Sequence, residues 1–162
     1  MVRNGSFENG LNGWTISGSS SSWGTVAVPH HGKLAAYRVA SASGSNFIYQ
    51  SIYFTVNHKY YYYAFATSVT TQTLVCDVTN VGGHFEQTTN SNAYLKGRVI
   101  FTSSFTGYNN ISINWGKTTD NVNVDGVGMV DLTAAFGAGN EPSLQWCNAN
   151  INYFDGSITV YK

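Results

Sequence analysis

The sequence predicts an all-β chain: a two-sheet antiparallel β-sandwich of jelly-roll type, followed by a short C-terminal helical segment. Three observations carry this. Aromatic residues make up 15% of the 162 residues, with 11 Tyr and 9 Phe, and such side chains favour strands. The chain holds 17 glycines and abundant Ser, Thr and Asn, the residues of tight turns. Several short segments alternate apolar and polar residues with period two, and no long helical period interrupts them.

The chain opens on Asn4-Gly-Ser-Phe-Glu-Asn-Gly-Leu-Asn-Gly-Trp14. Phe7 and Trp14 are apolar anchors set among residues that tolerate positive φ. Glu8 stands beside them. Charged residues are only 10% of the chain, so this carboxylate has two readings: an exposed Glu at a strand end, or an oxygen ligand for a hard cation. Residues 15–30 read as a Ser/Gly-rich loop around Trp23, with a short strand at 25–28 before Pro29. His30-His-Gly-Lys33 is a turn and 34–39 the next strand. Neighbouring residues on an extended chain point to opposite faces, so His30 and His31 do not read as a metal pair.

Residues 47–56 alternate cleanly. Ile48, Gln50, Ile52 and Phe54 share one face; Phe47, Tyr49, Ser51 and Tyr53 share the other. Residues 60–69 are aromatic on both faces, Tyr60 and Tyr62 against Tyr61, Tyr63 and Phe65. One face is core, and the other then shows more aromatic area than a sheet facing only water needs. Further strands fall at 73–79, 85–89, 95–105, 110–115 and 122–131, with a loop at 104–110. Beyond Asp131 the chain changes character. Asn140 is a cap for a short helix carrying Leu144, Trp146 and Cys147, and 157–161 reads as a last strand or a linker. The expected organisation is a sandwich over 1–131 and an extension over 132–162.

Composition excludes several classes. Eight basic and eight acidic residues give no net charge, so neither nucleic acid nor an anionic membrane is an expected partner. No apolar run approaches the ~18 residues of a membrane-spanning helix. No signal peptide opens the chain, and Met1-Val-Arg3 running straight into the first motif reads as a domain cut from a longer protein with an added start Met. Cys76 and Cys147 read as free thiols, without a disulfide framework or zinc spacing. Asp77 and Glu86 are the acids left for glycoside chemistry, and neither sits in a motif, so no enzyme is expected.

The opening motif resembles that of calcium-containing β-jelly-roll carbohydrate-binding modules of the type found beside xylanases and glucanases. His31-Gly-Lys-Leu34, Ile48-Tyr-Gln-Ser51 followed by Tyr60, and Asn123-Val-Asp-Gly-Val127 are similar to that family's turn, central hairpin and last strand. The resemblance implies a structural calcium held by the Ser6 carbonyl, Glu8, the Lys33 carbonyl and Asp125. Where many members carry a further carboxylate before the turn, this chain has His30 or His31. Residues 131–156 resemble a segment of minor structural and tail proteins of phages of Gram-positive bacteria. That likeness implies an extracellular or virion-associated setting, within a longer or oligomeric assembly.

The expected function is non-catalytic binding of a cell-surface or cell-wall glycan. Sugar rings present flat C–H faces to aromatic side chains, and their hydroxyls take hydrogen bonds. The expected platform is Tyr49 and Tyr53 with Tyr61 and Tyr63 on a neighbouring strand. Gln50 and Asp77 are its polar members and Trp23 its rim. The competing reading is a tail-protein module that only spaces or assembles other domains.

Overall fold

The computed structural model describes residues 1–18, 22–39, 46–90, 92–115 and 121–151. In chain order these form β1 (Thr15–Ser17), β2 (Trp23–Val26), β3 (Ala35–Arg38), β4 (Phe47–Phe54), β5 (Lys59–Ser68), β6 (Gln72–Val78), β7 (His84–Thr89), β8 (Leu95–Thr102), β9 (Gly107–Trp115), β10 (Val122–Asp131), α1 (Leu132–Phe136) and α2 (Leu144–Asn150). The strands make two antiparallel five-stranded sheets, ordered β1-β4-β9-β6-β7 and β2-β3-β10-β5-β8. This is the sandwich the alternating segments predict.

Period-two alternation sets the core. Ile48, Ile52 and Phe54 of β4 and Ile111, Ile113 and Trp115 of β9 face inward from the first sheet. Tyr60, Tyr62, Ala64 and Ala66 of β5 and Val122 and Val124 of β10 meet them from the second. Each fully buried large side chain contributes about 1.5–3 kcal/mol.

The N-terminal loop is organised by Asn4. Its side-chain amide donates to the Gly10 and Asn12 carbonyls, both at 2.9 Å, and its Oδ1 accepts from the Asn9 amide at 3.1 Å. Its own carbonyl accepts from Trp14 Nε1 at 3.1 Å. Phe7 adopts a φ of 55°, costly for an aromatic L-residue. Full burial of its ring, stacked 5.5 Å from Trp14, offsets that cost.

β10 carries a bulge between Asp125 and Gly128 in its pairing with β5. There the Val127 amide donates to the Gly5 carbonyl at 2.9 Å. A Cβ at Gly5 would lie 1.9 Å from the Val127 oxygen, so this contact requires glycine. The bulge thus joins the first loop to the last strand.

The outer face of β5 corrects an expectation. Tyr61 and Tyr63 are not open; Leu132, Cys147 and Ile151 pack over them and Phe65. Lys96 Nζ sits 4.8 Å from the Tyr63 ring centre and donates to the Ile151 carbonyl at 2.7 Å. Burial first, and the Arg98 charge second, bring that ammonium down to about 8.

The C-terminal helices also differ from expectation. α2 starts at Leu144, because the Ser143 hydroxyl caps the Trp146 amide at 3.2 Å. Glu141 instead accepts from the Thr133 hydroxyl at 2.8 Å and from Lys59 Nζ at 3.2 Å, tying the α1–α2 connection to β5. The unforeseen α1 is capped by the Asp131 carboxylate, which accepts from the Ala134 amide at 2.9 Å. Both cysteines are free and buried. The expected strand at 157–161 lies outside the described residues.

Candidate functional site

Two surfaces merit separate accounts: the outer face of the first sheet and the cluster around residues 30–34.

Strand register lays the first face out in rows. One row runs Ser17, Phe47, Asn114, Val75, Glu86, and the next runs Thr15, Tyr49, Ser112, Asp77, His84. Beyond them Ser51 faces Asn110, and Tyr53 faces Tyr108. Tyr53 and Tyr108 meet edge to face, ring centres 5.3 Å apart, at 52% and 73% exposure. Phe47 and Tyr49 lie 5.9 Å apart and are half-buried. The surface therefore alternates aromatic rings with short polar side chains, which suits a flat ligand carrying many hydroxyls.

The aromatic strip of the second sheet is not open in this way. Over β5 its outer face is covered by the C-terminal segment, and the turn at 30–34 adds to the cover at Phe65. His30 stacks on Phe65 with ring centres 4.0 Å apart and planes at 16°. Burial, more than the neighbouring His31 and Lys96 charges, lowers the His30 pKa. The two histidine rings lie 4.4 Å apart, because a turn replaces the extended chain that would send them apart.

The platform expected from the sequence is therefore redrawn. Tyr49, Tyr53 and Asp77 lie on the open face. Tyr61 and Tyr63 do not join them, since β4 and β5 belong to different sheets. Gln50 points inward, where its Oε1 accepts from the Arg3 amide at 3.0 Å and its amide donates to the Arg3 carbonyl. It fixes the N-terminal segment. Trp23 lies in β2 and is buried in the core, so it forms no rim. Sequence reasoning missed Tyr108 by assigning 104–110 to a loop, and it gave Asn110, at the start of the 110–115 strand, no part in the site. The signal was present: the polar members of the 110–115 alternation extend back through Tyr108 to give Tyr108, Asn110, Ser112 and Asn114 on one face.

Glu8 and Asp125 meet at the turn. Asp125 Oδ2 accepts from the His30 and His31 amides at 2.9 and 3.1 Å, and its Oδ1 from the Gly126 amide at 2.7 Å. Glu8 Oε1 accepts from the Lys33 and Leu34 amides at 2.8 and 2.9 Å. A Cβ at Gly32 would lie 2.3 Å from Glu8 Oε1, so glycine leaves that carboxylate its place. Ser6, also expected here, is buried next to Phe7. Asp125 is fully buried, and burial pushes its carboxyl up to about 6; the backbone donors pull it down and the Glu8 charge pushes it up further. Two like charges held over one turn, one of them dehydrated, fit a hard cation with oxygen ligands. Among the described residues no three His, Cys, Asp or Glu side chains converge, so main-chain oxygens would have to complete the shell.

Neither a protein-family model nor a curated relative matches the sequence. Solved structures do match. A family 61 carbohydrate-binding module in complex with β-1,4-galactotriose superposes with a TM-score of 0.68 at 16% identity, covering 80% of this chain and 97% of that one. The fold is that of carbohydrate-binding modules. A family 22 module joined to the catalytic module of xylanase 10B from Clostridium thermocellum, complexed with xylohexaose, matches with a TM-score of 0.62 at 16% identity over 80% of this chain and 28% of that one. The enzymatically active domain of tailspike protein 4 from bacteriophage CBA120 matches at 0.60 and 15% identity, over 79% of this chain and 21% of that one.

Proposed function

We propose that this chain is a non-catalytic glycan-binding module that receives a saccharide across the outer face of the first sheet. One observation carries the reading. Among the described residues the outer face of the first sheet bears open rows of Phe47, Tyr49, Tyr53 and Tyr108 among Asn, Ser and Asp side chains, whereas the aromatic rings of β5 on the second sheet are buried. The superposed modules, which include complexes with galactotriose and xylohexaose, support the same reading. Tyr49, Tyr53 and Tyr108 stack on sugar rings, while Asp77, Asn110 and Asn114 take hydroxyl hydrogen bonds. The likeness of residues 131–156 to tail-protein segments, with the tailspike match, favours a host-surface glycan and an extracellular or virion-associated protein.

Calcium belongs to the scaffold in this reading. Glu8 and Asp125, with the Ser6 and Lys33 carbonyls, would hold it, and its charge would offset two carboxylates while linking the first loop, the turn and the last strand.

The test is binding to xylohexaose, β-1,4-galactotriose and host cell-wall polysaccharide. Truncating a central aromatic contact costs about 2 kcal/mol or more, roughly 30-fold in affinity. Tyr49→Ala and Tyr108→Ala are expected to lose that much while melting as cooperatively as wild type. If wild type binds none of these ligands and sediments as an oligomer that buries Tyr53 and Tyr108, the assembly reading replaces this one.

A further inference from the structure

The platform ends in a cluster of which the glycan-binding reading uses only Asp77, leaving His84 and Glu86 without a role. Asp77 and His84 are register partners across β6 and β7, with His84 Nδ1 2.5 Å from Asp77 Oδ1. His84 Nε2 lies 3.6 Å from Glu86 Oε1 on the same strand. Both ring nitrogens therefore face a carboxylate. The five strands of the first sheet contain no Lys or Arg, so on them only His84 can become positive. The remaining three of the four histidines lie elsewhere: His30 and His31 in the turn over the second sheet, and His58 against Asp131 at 2.9 Å.

We propose that His84 is a positioning residue that makes saccharide binding by the first sheet tighten as pH falls. This inference rests on the glycan-binding reading of that face. With His84 neutral, the two adjoining rows end in carboxylates, Asp77 and Glu86, that no positive charge on the sheet's strands offsets. A saccharide laid along the row strips water from those charges, which is costly. With His84 protonated, the imidazolium holds Asp77 by a charge-assisted hydrogen bond and offsets Glu86 as well. The same saccharide then covers a fixed, partly neutralised group. Linkage makes the effect reciprocal: protonation raises affinity, and binding raises the pKa of His84. In the free protein the Asp77 hydrogen bond already raises that pKa; burial opposes the rise, and the Asp77 and Glu86 charges add to it.

Histidine is the side chain whose ordinary pKa falls in the interval from about pH 5.5 to about pH 8. Asp125 at about 6 and Lys96 at about 8 titrate there too, so calorimetry of wild type against His84→Gln across that range isolates His84. With xylohexaose or β-1,4-galactotriose as probe, the association constant is expected to be about tenfold higher at the acid end, for a further rise of about one pKa unit on binding. The His84 imidazole, followed by NMR, is expected to titrate higher with saccharide bound. His84→Gln keeps a side-chain donor but not the charge and is expected to bind with no pH dependence. Equal affinity at both ends, a pH dependence retained in His84→Gln, or an imidazole titration unmoved by saccharide overturns the inference and leaves the glycan site standing. No heat and no shift on the first sheet with either saccharide or with cell-wall polysaccharide, at either pH, overturns both.

Discussion

A chain ended at Asp131 will melt at least about 10 °C below the full chain, or aggregate, although 1–131 contains every strand formed by the described residues. Tyr61 is 0% exposed, Tyr63 1% and Phe65 9%; Leu132, Cys147 and Ile151 pack against them, and His30 adds its ring over Phe65. Uncovering large side chains costs about 1.5–3 kcal/mol each, so roughly 5 kcal/mol is at stake. For a domain of this size each kcal/mol moves the melting point by about 2–4 °C. The truncation also removes Thr133, whose hydroxyl accepts from the Lys59 amide at 2.9 Å, and the Ile151 carbonyl that receives Lys96. An exposed aromatic strip on a sheet is an aggregation surface. Differential scanning calorimetry of the two lengths decides the matter. A monomeric 1–131 fragment with an unchanged melting point would mean the extension is a passenger.

The second large effect is an inverted pH profile around Asp125. In chelator, the folded carboxyl titrates at about 6 against an ordinary 3.8. Between those values the folded chain keeps a proton that the unfolded chain has released, so this residue's contribution to stability falls as pH rises from about 4 to about 6. The full swing is at most roughly 3 kcal/mol. Calcium takes the ionised carboxylate, so its stabilising effect is expected to grow as pH rises through about 6 and to fade near pH 4. Glu141 titrates with the opposite sign: its carboxyl is held down at about 2, chiefly by the Thr133 hydroxyl, and its contribution is lost as pH falls below about 4.5. The difference between wild type and Asp125→Asn isolates the buried group. The variant is expected to flatten the profile in chelator and to abolish the response to calcium. If wild type at neutral pH ignores calcium, the carboxylates serve only to hold the turn's amides.

The parts of this molecule legible in the sequence are those with a strong local pattern. β4 announces its two faces because apolar and polar residues alternate without a break, and parity alone puts Tyr49 and Tyr53 on their true face. Glu8 and Asp125 were brought together by a likeness of motifs, since no local rule joins residues so far apart in the chain. What failed needed long-range information. β5 has two apolar faces, and its sequence does not say that one is sealed by the C-terminal segment. Nor does it say that β5 and β4, consecutive in the chain, enter different sheets. β1 is three residues long in a Ser/Gly-rich stretch, too short for periodicity to register. Gln50 fell among core residues by parity and was still read as a sugar ligand, because its true partner is the main chain of Arg3.

The most direct test of the central claim is residue-resolved NMR of the amide spectrum during titration with host cell-wall oligosaccharide. The open-face account predicts shifts concentrated on Tyr49, Ser112, Asp77 and Tyr108, with β5 and α2 silent. Shifts centred on Lys96, Tyr63 and α2 instead would place the ligand on the second sheet and contradict it.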